Sequence, residues 1–377
     1  MKLRLKAVII LITIASVLTI SSIVHIAFAQ QQTENQINYY QAKVKEVLED
    51  GYKDITGSKQ PYQKLKIVIL NGDLKGREME VENGGEFSIA EEQRVKRGDK
   101  IVISETNDID GNSVFIISDK YRTGQVILLI VAFSILAVIA AGRRGITSII
   151  GLFFSVLIIS NFLIPRILAG DNPTLISYIA TLLIAVVSLY LAHGFNKNTS
   201  LSLISTLITL FISIILSNIA VRMTGLTGAG SEESMFLQLN QNINISLKGL
   251  LLGGIILGVL GVLDDITTAQ TSVVHEIKNA NPRLPLGEIY SRAANVGKEH
   301  ITSLINTLFL AYAGVSLPLF LLFKINNFQP AWVIFNSEFI VEEVVRTVVG
   351  SMSLILAVPL STFIAAYYYN KQRTVTN

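Results

Sequence analysis

Two adjacent carboxylates, Asp264 and Asp265, end a long apolar segment and are the residues best placed to do chemistry. A carboxylate beside hydrocarbon is costly unless it is paired, hydrated or protonated. Burial and a neighbouring like charge both favour protonation. The pair is therefore typical of proton or cation handling. The alternative is that both acids lie in water at the cytoplasmic interface, because the uninterrupted apolar run ends at Leu263.

A face of small residues leads up to the second aspartate. Gly254, Gly258, Gly261 and Asp265 are spaced by 4, 3 and 4 residues, and Thr268 extends the series. At 3.6 residues per turn these positions share one side of a helix. Small residues allow a neighbouring helix to approach closely. We therefore expect Asp265 to face another helix and Asp264 to be turned away from it by about 100°.

The next apolar segment opens with a second polar group. Glu299 shares a helical face with Ser303 and Asn306, and His300 lies beside it. An asparagine inside a membrane helix usually forms a hydrogen bond with an adjacent helix. This bond could be purely structural, or it could belong to a polar path continuous with the aspartates. The predicted path comprises Asp264, Asp265, Thr268, Gln270, Ser303 and Asn306.

The last apolar segment carries an ion-pair pattern at its start. Glu342 and Arg346 stand at i and i+4, in the favourable order for an ion pair along a helix. Such a pair would lower the cost of placing the arginine at the entrance to the membrane. Pro359 lies in the middle of the segment and predicts a kink.

Several kinds of site have no support in the sequence. The chain has no cysteine, which excludes disulfides and thiolate ligands. His275-Glu276 and Glu299-His300 do not have the spacing of a helical metal site, so no metal or other cofactor is expected. No nucleotide, hydrolase or metalloprotease motif is present. Since these motifs are absent, no enzyme is expected. The net charge of +3 forms no basic patch, so no nucleic-acid-binding protein is expected.

Eight apolar stretches must position these residues. About 20 apolar residues in helical form cross the hydrocarbon core, where each backbone N–H needs an internal partner. We therefore predict an α-helical polytopic membrane protein with about eight transmembrane helices. The stretches are Ala7–Ala29, Gly124–Ala141, Ile146–Ile164, Pro173–Ala192, Leu201–Val221, Gly249–Gln270, Ile301–Phe323 and Thr347–Tyr368.

The distribution of basic residues predicts the orientation. Counted over short loops, twelve lysines and arginines flank one side and five flank the other. The positive-inside rule then places both termini in the cytoplasm and residues 30–122 outside a plasma or inner membrane. Residues 1–29 form an uncleaved anchor in the favoured interpretation, or a cleavable signal peptide ending at Ala29. Residues 123–369 form a seven-helix membrane domain, and residues 370–377 form a cytoplasmic tail.

The outer segment has the pattern of a small all-β domain. Short β-patterned runs lie at Gln41–Leu48, Lys64–Leu70, Glu78–Val81, Lys100–Glu105 and Ser113–Ile117, with Asn-Gly and Asp-Gly turns between several of them. Five strands in so short a segment predict a barrel-like fold, with the oligonucleotide-binding type as a candidate. That shape does not imply nucleic-acid binding. A solvated module that packs on the membrane domain or on a partner is expected.

The chain resembles the YibE/F-like family of bacterial multi-pass membrane proteins. Three stretches carry the resemblance: Gly261–Gln270, Val296–Gly314, and Glu343–Gly350 continued by Ala357–Thr362. The resemblance implies a plasma-membrane location and this topology, and it implies no activity. Among its recurrent polar positions are Asp264, Asp265, Thr268, Gln270, His300, Ser303, Asn306 and Arg346.

Two functions are consistent with these residues. The first is a transporter or permease-like protein in which the aspartates carry a proton or cation along the polar path. The second is a scaffold or accessory protein whose outer domain binds a cell-envelope partner, while the glycine face only packs helices. Besides the lipid bilayer, we expect such a protein partner or a homo-oligomer, and no nucleic acid.

Overall fold

A computed structural model describes residues 37–55, 58–84, 88–107, 113–239, 245–325 and 330–371. Its contacts divide the chain into two compact units. One unit contains the β-sheet and extends to Ile139, and the other begins at Ala140 and is helical. The predicted anchor Ala7–Ala29 lies outside the described residues.

The β unit is one five-stranded antiparallel sheet in the order β3-β2-β1-β4-β5. The first strand is long and irregular, with register shifts between Val44 and Glu46 and between Val47 and Glu49. The strands are β1 (Asn38–Ile55), β2 (Ser58–Ile69), β3 (Glu78–Asn83), β4 (Lys100–Asn107) and β5 (Ser113–Lys120).

Alternating apolar side chains explain this sheet. Successive side chains of a strand point to opposite faces, so every second residue reaches the core. Leu65, Ile67 and Ile69 of β2 are buried in this way, opposite Ile101 and Ile103 of β4. The five predicted strands are confirmed, although β1 and β2 extend well beyond their predicted ends. The oligonucleotide-binding type stays a prediction.

The described helices follow the sheet without further strands. Two of the connecting helices, α5 and α9, are short. The helices are α1 (Thr123–Ala141), α2 (Arg143–Leu168, with a π-helical turn over Ile159–Leu163), α3 (Pro173–His193), α4 (Lys197–Met223), α5 (Glu232–Leu239), α6 (Leu247–Ala280), α7 (Leu286–Val315), α8 (Leu317–Ile325), α9 (Ala331–Phe335) and α10 (Glu338–Lys371).

Six of the described helices are long and apolar enough to cross a membrane, namely α1, α2, α3, α4, α6 and α10. The prediction of eight is therefore supported only in part. One predicted span lies outside the described residues, and Ile301–Phe323 is not a single helix. The helix is interrupted at Ser316, which lies between α7 and α8. Pro318 is the second residue of α8. Proline favours the first turn of a helix over its interior, which agrees with a new helix starting there.

Helix α6 is the centre of the helical unit. It contacts α3, α4, α7 and α10, and its buried stripe includes Leu252, Ile256, Val259, Leu263 and Ile266. These residues form a core with side chains of α4 and α10. The central helix therefore carries the acidic pair, of which Asp264 meets a neighbouring helix.

Candidate functional site

Asp264 is the acidic residue that contacts a neighbouring helix. Its Oδ2 accepts a hydrogen bond of 3.0 Å from the hydroxyl of Ser188 on α3. Its Oδ1 is enclosed and has no hydrogen-bond partner among the described residues. Helix α2 packs on the same part of α3, since a Cβ at Gly151 would lie 3.6 Å from the Cα of Ser188. The half-satisfied carboxylate thus sits at a contact between helices.

Asp265 faces none of the described helices, contrary to the prediction that it meets another helix. Its side chain is exposed, as are Gly258 and Gly261 on the same side of α6. A Cβ added at Gly254 or Gly261 would meet no described atom within 4 Å. The closest approach on this face is the hydroxyl of Tyr312 on α7, 3.1 Å from a Cβ at Gly258. The glycines of α6 that approach a neighbouring helix closely are Gly249 and Gly253, which lie against Pro173, Thr174 and Ser177 of α3.

The exposed aspartate belongs to a charged group at the end of α3. Both Arg144 of α2 and Asp265 exert an electrostatic influence on His193, the last residue of α3. His193 is itself exposed. A titratable imidazole and a guanidinium therefore lie close to the aspartate that adjoins Asp264.

Gln270 is a junction between three helices. Its Nε2 donates to the carbonyl of Ala293 on α7 at 2.7 Å and to the hydroxyl of Thr362 on α10 at 2.8 Å. Gly297 of α7 lies against the amide, because a Cβ there would stand 3.0 Å from Oε1 and would clash with Val358. The amide is fully buried. This predicted path residue therefore joins helices that pack closely.

The other predicted path residues lie apart from this junction. The Thr268 hydroxyl donates to the backbone carbonyls of Asp264 and Asp265, within its own helix. Ser303 and Asn306 are exposed on the second half of α7. The structure thus brings Thr268 close to the acidic pair by backbone contacts, and it does not join Ser303 or Asn306 to that pair.

The ion pair predicted for α10 is formed by a different glutamate. Arg346 lies 3.7 Å from Glu343, one turn before it, and not beside Glu342 as predicted. Glu342 is 4% exposed and accepts the backbone N–H of Gly230 at 2.9 Å. The preceding turn acts in the same way, as Glu338 accepts the N–H of Gly228 at 2.9 Å. The carboxylates of α10 therefore hold the loop that follows α4.

A buried hydroxyl seam between α4 and α6 was missed by the sequence reasoning. The hydroxyls of Thr206 and Thr267 lie 2.8 Å apart, and Ser202 donates to the carbonyl of Thr267 at 3.3 Å. Further along α4, Ser213 and Ser217 are fully buried and donate to carbonyls one turn before them. Serines and threonines recur every three or four residues along α4, and this pattern could have predicted the contact with α6.

The remaining candidates lie inside helices α7 and α10. Glu299 is exposed, and His300 has a buried Nδ1 without a partner among the described residues. Pro359 lies inside α10, next to the Val358 that packs on α7. The kink predicted at Pro359 stays a prediction. No group of three potential metal ligands occurs within the described part of the chain.

Comparison with protein families gives two matches that together cover nearly the whole chain. Residues 129–371 match the model described as YibE/F-like protein, and residues 28–120 match the model described as the YibE/F family N-terminal domain. The boundary between the matches falls where the sheet ends and α1 begins. Comparison with curated proteins and with solved structures finds no match.

Proposed function

Since the chain belongs to the YibE/F-like family and its apolar helices make it an integral membrane protein, we propose that it is a permease-like protein in which Asp264 carries a proton or cation. The observation that supports this most directly is the enclosed Oδ1 of Asp264, which has no partner among the described residues. A buried charged oxygen without a partner is costly, and binding a proton or cation removes that cost.

The surroundings of Asp264 suit a group that is loaded and emptied. Ser188 holds one carboxylate oxygen at 3.0 Å and leaves the other for the transported ion. Asp265 stands next in the chain on the exposed side of α6, near Arg144 and His193. Asp265 and His193 are exposed, so they form an entrance from which Asp264 is loaded. With the predicted orientation, this entrance opens to the cytoplasm of a bacterial cell.

The roles of the other path residues follow from their positions. Gln270 and the hydroxyl seam of α4 and α6 hold the helices around the carboxylate and carry no ion. Ser303 and Asn306 line the path only if a further element covers their exposed side of α7. Transport, and not catalysis, is the proposed activity.

Labelling with dicyclohexylcarbodiimide tests this proposal without knowledge of the substrate. This apolar reagent modifies protonated carboxyl groups that lie within membrane proteins. We expect an adduct at position 264, located by peptide mass spectrometry in native membranes, whose formation slows as the pH rises. The Asp264→Asn variant should lose this adduct, and the matched Asp265→Asn variant should keep it.

A measurement of proton or cation flux is the decisive part of the test. Proteoliposomes containing a trapped pH indicator should show a proton or cation flux that Asp264→Asn abolishes. The proposal is wrong if Asp264→Asn leaves both the flux and the growth phenotype of a deletion strain unchanged. A second candidate, the accessory role for the outer domain, is favoured by an open cleft of about 580 Å³ that residues of β3 and β5 line. Deleting residues 35–118 should abolish the function of an accessory protein, whereas a permease should keep some flux.

A further inference from the structure

Strands β3 and β5 form two open edges of the outer sheet. Each pairs with one neighbour, β3 with β2 and β5 with β4. Within the described ranges, no backbone hydrogen bond joins β3 to β5. The two edges nevertheless lie across from each other and line a cleft of about 580 Å³. Unpaired edge groups of this kind are a template for pairing with another strand.

The strand directions decide what can close this cleft. All four ladders are antiparallel, so β3 and β5 both run in the same direction as β1. A closed ring with an odd number of strands cannot be antiparallel throughout. One additional strand that runs the opposite way would be antiparallel to both edges at once. It would complete a six-stranded barrel and satisfy the hydrogen-bonding groups of both edges.

The side chains of the cleft indicate the sequence of such a strand. Met79 and Val81 of β3 face Phe115 and Ile117 of β5 across an apolar floor, because all four line the cleft and pack in or against the sheet core.

Two glutamates of β3 stand on the outer rim of the cleft, which Arg77 also lines. Glu80 and Glu82 alternate with the apolar residues of β3 and are exposed. Their nearest lysines, such as Lys64 at 2.9 Å from Glu80, lie on the side away from β5. A strand with apolar residues facing inward and basic residues facing outward would complement this cleft.

We propose that the outer domain binds an extended segment of a partner protein by strand addition between β3 and β5. The segment alternates apolar and basic residues. The polar stretch Gln30–Gln36 of this chain lacks that alternation, so the segment comes from a partner. Paired strands lie about 4.8 Å apart. The two edges approach within 8 Å between Cα atoms, whereas two strand spacings amount to about 9.6 Å, so the edges must separate by at least roughly 2 Å to admit it.

Peptide binding to the full-length chain in nanodiscs tests the proposal. The probe is a fluorescein-labelled peptide of about seven alternating lysine and valine residues, close to the length of a short strand. We expect saturable binding by fluorescence anisotropy and slower hydrogen exchange in both 78–83 and 113–117. A control peptide with alternate amides N-methylated should not bind, because it cannot donate hydrogen bonds along one edge.

A pair of charge variants tests the rim. The double variant Glu80→Lys/Glu82→Lys should weaken binding about fivefold at low salt, since each exposed ion pair contributes little. The matched variant Glu46→Lys/Glu49→Lys, on β1, should bind as the unaltered chain does. The proposal is overturned if the N-methylated peptide binds equally well or if exchange in the two edges does not slow. Full protection of both edges before the peptide is added would also overturn it, since the chain itself or a second copy would then fill the cleft.

Discussion

Replacement of Gly297 by alanine is a sharp test of the three-helix junction. Gly297 of α7 faces Gln270 and Val358, and an added Cβ would stand 3.0 Å from the Gln270 Oε1. The same Cβ would clash with a γ-methyl of Val358. The methyl group must therefore push α7 away from α10 or displace the Gln270 amide from its two hydrogen bonds.

The cost follows from three terms. Forcing an extra methyl into a packed core costs about 1–3 kcal/mol. Loss of one of the Gln270 hydrogen bonds adds about 1 kcal/mol. The higher helix propensity of alanine returns about 1 kcal/mol. The net destabilisation is roughly 2 kcal/mol, which corresponds to a decrease of about 4–8 °C in melting temperature for a unit of this size.

Apparent melting temperatures in nanodiscs at one fixed scan rate provide the assay. The matched control is Gly314→Ala on the same helix, where an added Cβ would meet no described atom within 4 Å. This control should melt at or slightly above the temperature of the unaltered chain. The double variant Gly297→Ala/Val358→Ala should recover part of the loss. Equal melting temperatures for Gly297→Ala and Gly314→Ala would refute the close contact of α7 with α10 and Gln270.

Two further predictions concern carboxylates of each unit. The Glu342→Ala variant leaves the buried N–H of Gly230 without its acceptor, at a cost of about 1–3 kcal/mol. Hydrogen exchange in residues 227–231 should therefore become faster. An unchanged exchange rate would contradict the contact between Glu342 and Gly230. In the outer sheet, hydrogen bonds from Lys45 and Lys66 lower the pKa of Glu78. Its stabilising effect is therefore present above the unfolded pKa of 4.5 and is lost as the pH falls through the lower folded value. The rate of hydrogen exchange in β2 and β3, corrected for the intrinsic rate, should rise as the pH falls through the folded pKa of Glu78. The Glu78→Gln variant should not show this rise.

The sheet was predictable because its apolar alternation and its turns are local. The runs at Lys64–Leu70 and Lys100–Glu105 contain the residues that later fill the core. The extension of β1 to Ile55 was not predictable, since this part of the strand is polar and is held by its pairing with β2 and by Arg94, which donates to the carbonyl of Gly51 at 2.8 Å. The break at Ser316 was overlooked because hydropathy averages over a window and does not register the proline that starts α8.

The sequence analysis named residues of the candidate site, but several of the contacts predicted for them differ from those in the structure. Arg346 has glutamates at three and four residues before it, and both spacings place charges on neighbouring positions of a helix. The choice between them depends on the N–H of Gly230, which donates to Glu342, so that this glutamate does not pair with Arg346. A loop more than a hundred residues earlier in the chain thus decides a local ion pair. Sequence spacing alone contains no information about such a contact.

The exchange of roles between Asp264 and Asp265 follows from the phase of α6. The buried stripe of α6 is centred near Leu263, with Ile266 on one side of it. Asp265 is turned about 160° from Leu263 and therefore lies opposite the stripe. Asp264 is turned about 100° from Leu263. It therefore lies on the flank of the stripe, where α3 brings Ser188 to the carboxylate. In a membrane helix, large apolar residues suit both lipid and protein contacts, so hydropathy cannot fix this phase. The proposed ion-carrying role rests on this flank position, where one carboxylate oxygen meets Ser188 and the other has no partner among the described residues.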